Sequence, residues 1–501
     1  MKHLFKILLL IVAFLVSSLV SRPLWADTTS NTLSLEQRLD SLEAQVAELK
    51  QELKQQKAVA AQQTTALPQA INSTANTTPP AAYVTANSKD GFSFKSADGN
   101  YSLRIGGYTQ IEAREFADNN KEELGEASSI LARRVRLIVQ GTVAHDFDYY
   151  LQPDFGYNNT YSDTAGVVNT VPSAYGVALQ DAWIDYKYSP DFVIKAGKMK
   201  TPFDLENLQD SRYTSFVELG LTGNLAPQRD LGAQVGGNLY YDWITYAAGL
   251  FDGAADKENG YGGYSTGGDT NSKSGTGRIF VTPFKDTSID PLKGFGVGYA
   301  ASYGKEKGTD LPTYISPGQA PVFAYNSGVS AAGPQLRTEP QAYFYYKSLG
   351  ILGEKVNDWE SLQDTSSLGT ATHPIRDKVD NTAWSVEGSF VLTGENASYN
   401  GVTPKYNLSP SAGHWGAFEL VGRYGELKLD HTIFDDQFAN LNTSISNERA
   451  WATGINWYLN QNAKVSFSFE QTKFERGAIN GTSTDDRKTE NLFTTMLQLS
   501  L

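Results

Sequence analysis

The chain has 501 residues, no Cys, 45 Gly and 12% aromatic residues, with a formal charge of −13. The charge argues against a nucleic-acid partner, and the absence of Cys excludes a disulfide framework and thiolate metal sites while suiting export through an oxidising periplasm. Mean hydropathy is −0.37, and no run of about 20 apolar residues follows the first segment, which excludes a bundle of membrane helices. A polar average with many aromatics suits a β-barrel, in which only alternate residues face lipid, and equally suits a secreted all-β protein.

The first segment reads as an export signal. Lys2, His3 and Lys6 form a basic start, Ile7 to Val20 is an apolar core of 14 residues, and Leu24-Trp25-Ala26 offers a cleavage site before Asp27. The core is too short to cross a bilayer, so 1–26 is expected to be a signal peptide. Loss of Lys2, Lys6 and Arg22 with it would take the formal charge from −13 to −16.

Residues 27–57 follow with Leu35, Leu39, Leu42, Val46, Leu49 and Leu53 spaced 4, 3, 4, 3 and 4 apart. That is the seam of a short coiled-coil helix. Three heptads are marginal alone, so self-association needs a second contact, which an oligomeric barrel would supply by proximity. Residues 58–100 read as a linker, rich in Ala, Thr, Gln and Asn up to residue 88 and carrying Pro79-Pro80. The sequons at Asn72 and Asn76 are read as chance matches in an exported bacterial chain.

From Tyr101 the period becomes two. In 463–474, Val465, Phe467 and Phe469 oppose Lys464, Ser466, Ser468 and Glu470; at the end, Phe493, Thr495, Leu497, Leu499 and Leu501 oppose Thr494, Met496, Gln498 and Ser500. Such alternation places the two sets on opposite faces of a sheet. Sixteen strands can be counted between 101 and 501, with connections that alternate strictly between short (145–146, 189–191, 241–242, 285–293, 348–349, 394–412, 460–462) and long (117–130, 156–176, 201–229, 252–276, 306–337, 358–379, 430–447, 475–490). The fold class expected is all-β: a 16-stranded antiparallel transmembrane β-barrel over 101–501, preceded by a short N-terminal coiled-coil helix. Both termini then lie at the periplasmic end. Tyr149-Tyr150, Tyr186, Tyr188, Tyr240-Tyr241, Trp243, Tyr345-Tyr346 and Trp457-Tyr458 gather near strand ends, as interfacial girdles would.

Several stretches, in order, resemble the phosphate-selective porin O and P family: Leu131-Ala-Arg-Arg-Val-Arg-Leu, Asp181-Ala-Trp-Ile-Asp-Tyr, Ala196-Gly-Lys-Met-Lys-Thr-Pro-Phe, Gly416-Ala-Phe-Glu-Leu-Val-Gly-Arg-Tyr and Gly454-Ile-Asn-Trp-Tyr-Leu-Asn. The resemblance implies a homotrimeric porin of the Gram-negative outer membrane, with the coiled coil in the periplasm. It also implies a third long loop folded into the lumen and an anion pathway lined by arginines and lysines. Arg133-Arg134 matches the family's paired pore arginines on the second strand, and Arg278 matches an arginine-bearing eighth strand. Gly106-Gly107-Tyr108 departs from the family's Gly-Gly-Arg, and the final residue is Leu501 where the family's signal to the barrel-assembly machinery is Phe.

Parity gives the site candidates. Arg104, Arg114, Arg134, Arg136, Arg278 and Arg423 fall on the inward set, where a narrow lumen strengthens their pull on small anions. Arg133 has lipid-facing parity and reaches the pore only from the rim or from a β-bulge. Arg212 lies in the third long loop, 201–229, with Glu218. The same arginines can instead brace the wall against carboxylates such as Glu112 and Glu419. Glu122, Glu123 and Glu126 place negative charge in an outer loop facing lipid headgroups and lipopolysaccharide, without a spaced set of metal ligands. Catalysis finds no support. His3, His145, His373, His414 and His431 fall in the leader or in connections, no nucleophile or phosphate-loop motif is present, and no cofactor is implied. Two channel readings stay open, one for small anions including phosphate and one general or weakly cation-preferring. A barrel tethered to the cell wall is a third, and 58–88 contains no wall-binding module.

Overall fold

The computed structural model describes residues 83–87, 91–117, 128–156, 160–164, 167–171, 177–253, 273–309, 311–365, 374–478, 482 and 484–501. The leader, the coiled-coil seam, the linker to residue 82, the loop acids Glu122, Glu123 and Glu126, and His373 lie outside them. Sixteen strands form the wall: β1 (Ser102–Phe116), β2 (Ser129–Val143), β3 (Phe147–Asp154), β4 (Ala178–Ser189), β5 (Phe192–Lys200), β6 (Arg229–Leu239), β7 (Ile244–Phe251), β8 (Ser274–Val281), β9 (Phe295–Gly308), β10 (Val329–Tyr346), β11 (Leu349–Asp364), β12 (Ile375–Val391), β13 (Ala417–Lys428), β14 (Ile445–Tyr458), β15 (Ala463–Arg476) and β16 (Glu490–Ser500). Each pairs antiparallel with its chain neighbour. The ring closes where β16 meets β1, from Leu492 opposite Phe116 to Ser500 opposite Tyr108.

The alternation explains both faces. Ile111, Leu137, Ile184, Ile194, Ile351, Leu420, Phe467 and Leu497 point outward and are exposed, a band for lipid tails. Their strand neighbours Gln110, Glu112, Arg136, Asp185, Leu352, Glu419, Ser466 and Met496 point inward and are buried. Closure removes every edge of the wall, which a membrane-spanning sheet requires. The aromatic pairs do not all join the girdles. Tyr188, Tyr240 and Tyr241 are exposed, whereas Tyr458 is buried and donates to Glu419. Adjacent strand residues face opposite ways, so of a pair inside a strand only one can meet lipid, whereas Tyr240 and Tyr241 lie in the turn after β6 and are both exposed.

Three stretches differ from expectation. β10 begins at Val329 and β11 runs to Asp364, so the fifth and sixth long loops shrink to 309–328 and 365–374; Gly333-Pro334 in β10 read as loop residues, but they occupy an interruption in the register between Ala331 and Leu336. The connection after β12 lies at the end of the barrel where the short turns lie, yet it turns into the lumen, burying Ala397 and Val402 against Val391, Ala417 and Tyr458. Within 58–100, expected to be a linker, Tyr83–Asn87 and Gly91–Lys95 form a hairpin. Its second strand pairs with β1 from Ser102 to Ile105, directly below the point where β16 ends. Leu501 exchanges backbone hydrogen bonds with Gly107 there.

Gly107 has φ +153, and a Cβ on it would lie 2.3 Å from the Arg136 carbonyl oxygen. Gly107→Ala must therefore strain the β1–β2 seam, by about 1–3 kcal/mol. A lower midpoint for heat-induced loss of the barrel's compact electrophoretic form is the expected outcome, and an unchanged midpoint would show that the seam relaxes.

Candidate permeation pathway

Residues 201–228 leave the wall after β5, cross the lumen and return at β6. Asp204 caps a single helical turn, Leu205–Leu208, by accepting from the Asn207 N–H at 2.6 Å. Apart from this turn and a 3-10 turn at Leu221–Asn224, the loop has little regular hydrogen bonding, so its backbone needs partners from the wall. Lys200 Nζ donates to the carbonyls of Asn207 (2.5 Å) and Gln209 (2.6 Å). Lys464 Nζ donates to those of Arg212 (3.2 Å) and Thr214 (3.1 Å), and Arg134 to that of Val217 (3.0 Å). From the opposite wall Glu354 accepts the N–H groups of Leu205 (3.0 Å) and Glu206 (3.2 Å) and the Thr222 hydroxyl (2.8 Å).

Charge pairs fix the loop further. Glu218 lies among three arginines. Arg133 grips it with two hydrogen bonds, Arg114 donates at 2.9 Å, and Arg134 stands 3.6 Å away. Glu206 receives Arg423 at 3.0 Å. Arg133 reaches the lumen because β2 bulges there: Gln110 faces Arg134 and Ile111 faces Ala132, leaving Arg133 as the extra residue. Its side chain is buried, as the parity argument required.

A second inward loop completes the plug. In 309–328, Leu311, Tyr314, Val322 and Phe323 pack with Phe203, Leu221 and Leu225 of the first loop and with Ile433 and Phe438 of 429–444. Asn224 and Ile315 exchange two 3.0 Å hydrogen bonds between the loops. Ser316 and the Gly318 N–H bind Glu490 on β16, and Tyr325 donates to Glu360 on β11. From below, Tyr399 of the 392–416 connection donates to the Leu205 carbonyl at 2.5 Å and accepts at its own carbonyl from Gln209 at 2.7 Å.

Among the described residues, three cavities lie within and beside this filling. A cavity of about 400 Å³ at the short-turn mouth of the barrel is lined by Arg104, Arg212, Lys464 and the turn 460–463. Next to it, a compartment of about 290 Å³ lies between the loop and β1–β6, lined by Arg136, Lys195, Lys200 and Arg229 with Asp181 and Asp210. Above it the space narrows to about 70 Å³ between the two inward loops, at Arg134, Arg136, Glu218 and Arg229.

The candidate arginines thus divide. Arg114, Arg133 and Arg134 converge on Glu218. Arg136 is fixed by Asp154 (2.7 Å) and the Tyr108 hydroxyl (2.7 Å) at the compartment wall. Arg212 pairs with Asp210 at 2.6 Å and Arg423 with Glu206 and Glu470. Arg278 donates to Gln341 at 2.7 Å beside Phe280, in none of the three cavities. Glu112 braces Arg114 as expected, while Glu419 accepts from Tyr458 and Asn456 instead of an arginine. Lys195, Lys200, Arg229 and Lys464 were not among the candidates. Lys464 already had inward parity in the sequence, and Lys195 alternates with outward Ile194 and Ala196, so both carried a readable signal.

Residues 103–501 match the family described as phosphate-selective porin O and P. The chain belongs to that family. It is 22% identical to Porin O of Pseudomonas aeruginosa over 434 residues, spanning 81% of this chain and 90% of that one. The fold is similar to that of the outer-membrane channel DcaP of Acinetobacter baumannii, with a TM-score of 0.50, 10% identity and coverage of 81% and 99%. The porin is a channel of the outer membrane, and its wall crosses by strands.

In this porin the Glu218 carboxyl lies in the inward loop, off the spanning strands. Burial alone would raise its pKa. The charges of Arg133, Arg134 and Arg114 outweigh burial and hold it at about 2, against an ordinary 4.5. A depressed pKa adds stability above pH 4.5 that is lost as the pH falls toward 2. Thermal unfolding of the purified porin should show a full and pH-independent contribution from this contact between pH 5 and 8, and a fall in stability below pH 4.5. Comparison with Glu218→Gln isolates that fall, and parallel pH curves for the two proteins would contradict the assignment.

Proposed function

We propose that the porin is a passive diffusion channel for small anions, phosphate among them. The supporting observation is the basic lining of the cavities beside β1–β6. The cavities from the periplasmic mouth to the constriction carry Arg104, Arg212, Lys464, Arg136, Lys195, Lys200 and Arg229, in a space narrow enough to strengthen their field. Many of the wall's carboxylates stand on the other side, where Glu354, Glu360, Glu387 and Glu490 are buried against the inward loops and spend hydrogen-bonding capacity on them. A cation-preferring channel would need those carboxylates in its open path.

The remaining parts of the reading follow from the chain's layout. A homotrimer would bring three coiled-coil segments together in the periplasm. The outward apolar band faces lipid, the outer loops face lipopolysaccharide, and the β16 end at Leu501 is the segment offered to the barrel-assembly machinery. The match to a porin family over residues 103–501 favours a channel over an enzyme.

The reversal potential of the purified porin in a planar bilayer under a KCl gradient tests the reading. Anion selectivity with current block by phosphate is expected. Lys200→Gln or Arg136→Ala should each reduce the anion-to-cation permeability ratio roughly fivefold, the effect of about 1 kcal/mol from one charge about 4 Å from the ion. Cation selectivity without phosphate block would overturn it.

A further inference from the structure

The compartment between the inward loop and β1–β6 is not lined by charge alone. Tyr108, Tyr150, Trp183, Met199 and Leu208 share its surface with the four cations. Strand parity puts the two central rings there. Tyr150 and Trp183 are direct partners across β3 and β4, flanked by outward Leu151 and Ile184. Their rings are parallel within 4° at 5.2 Å between centroids. Lys195 Nζ sits 3.7 Å from the Trp183 ring centroid. Across from Trp183 on β5 is Gly197, with φ +132 and 2.6 Å between a Cβ placed on it and the Trp183 Cα, so the two strands close up at the indole.

This lining is poorly matched to inorganic phosphate. A small, strongly hydrated anion gains from Arg136, Lys200 and Arg229 but nothing from Met199, Leu208 or an aromatic edge. The apolar surface rewards only a solute that brings apolar surface to it. Aromatic edges carry the positive end of the ring quadrupole, so a ring meeting Tyr150 or Trp183 in an offset or edge-to-face contact gains beyond simple burial. The volume of about 290 Å³ accommodates one ring with one oxyanion group.

We infer that this compartment prefers anions that carry an aromatic ring, the oxyanion held by Arg136, Lys200 and Arg229 and the ring by Tyr150, Trp183 and Met199. The inference rests on the anion-channel reading and names its solute class.

The test compares current block by phenyl phosphate and by inorganic phosphate in planar bilayers, with the reversal potential recorded in the same membranes. Phenyl phosphate should block at a roughly tenfold lower concentration, the scale set by partial burial of one ring. Trp183→Leu and Tyr150→Leu, each checked for the heat-resistant barrel form, should bring that ratio close to one; Met199→Gln, at a strand end, supplies a third variant should the ring substitutions prevent folding. Equal block by the two anions in the unaltered porin, at an anion-selective reversal potential, would overturn the inference and leave the channel reading standing. A preference that survives in every folded variant would also overturn it. Cation selectivity with no block by either anion would sink both.

Discussion

Glu218 stands between three guanidinium groups, and the course of residues 201–228 across the lumen follows from that contact and its neighbours. A carboxylate buried among arginines is costly to separate from them, because loss of one partner leaves charge uncompensated in a poor dielectric. The loop has little regular structure of its own, so its carbonyls turn to Lys200, Lys464, Arg134 and Arg423 and its N–H groups to Glu354. The wall therefore acts on the loop backbone as a second strand would, but with charged side chains as donors and acceptors.

This anchoring decides which wall carboxylates are covered. Carboxylates of β10, β11, β12 and β16 face the loops and are buried under them, and the apolar cluster of Phe203, Leu225, Tyr314, Phe323 and Phe438 seals that side. Among the described residues, a compartment runs along β1–β6, beside Arg136, Lys195, Lys200 and Arg229. Net charge thus says little about such a pore. A chain of formal charge −13 keeps a basic path because its lumenal acids are used as loop anchors. The same logic separates bracing from lining arginines: Arg114 and Arg133 hold Glu218, while Arg136 holds Asp154 and still faces the compartment.

Period-two alternation made the wall legible. All sixteen strands were found from it, because one face must meet lipid and the other must not, and a shift by one residue would invert both. Alternation misplaces a boundary where it is interrupted, as at Gly333-Pro334: the pattern puts them in the long loop 306–337, whereas β10 begins at Val329. The inward face of Arg104, Arg114, Arg134, Arg136, Arg278 and Arg423 was equally legible. Arg133 was legible as a conditional: wrong parity, hence a bulge, which β2 supplies.

The sequence by itself determined the strand count, the two faces, the end at which short turns lie and the set of charges that point inward, since each depends on residues adjacent in the chain. Only the tertiary structure decided which inward charges meet. Glu218 and Arg133 are 85 positions apart, Arg423 and Glu206 are 217 apart, and Tyr399 meets Leu205 across 194. The inward course of 309–328 and 392–416 was settled there too. These contacts depend on the closed ring, which brings distant strands and loops into one enclosed space where a buried charge or carbonyl must find whatever partner the far wall presents.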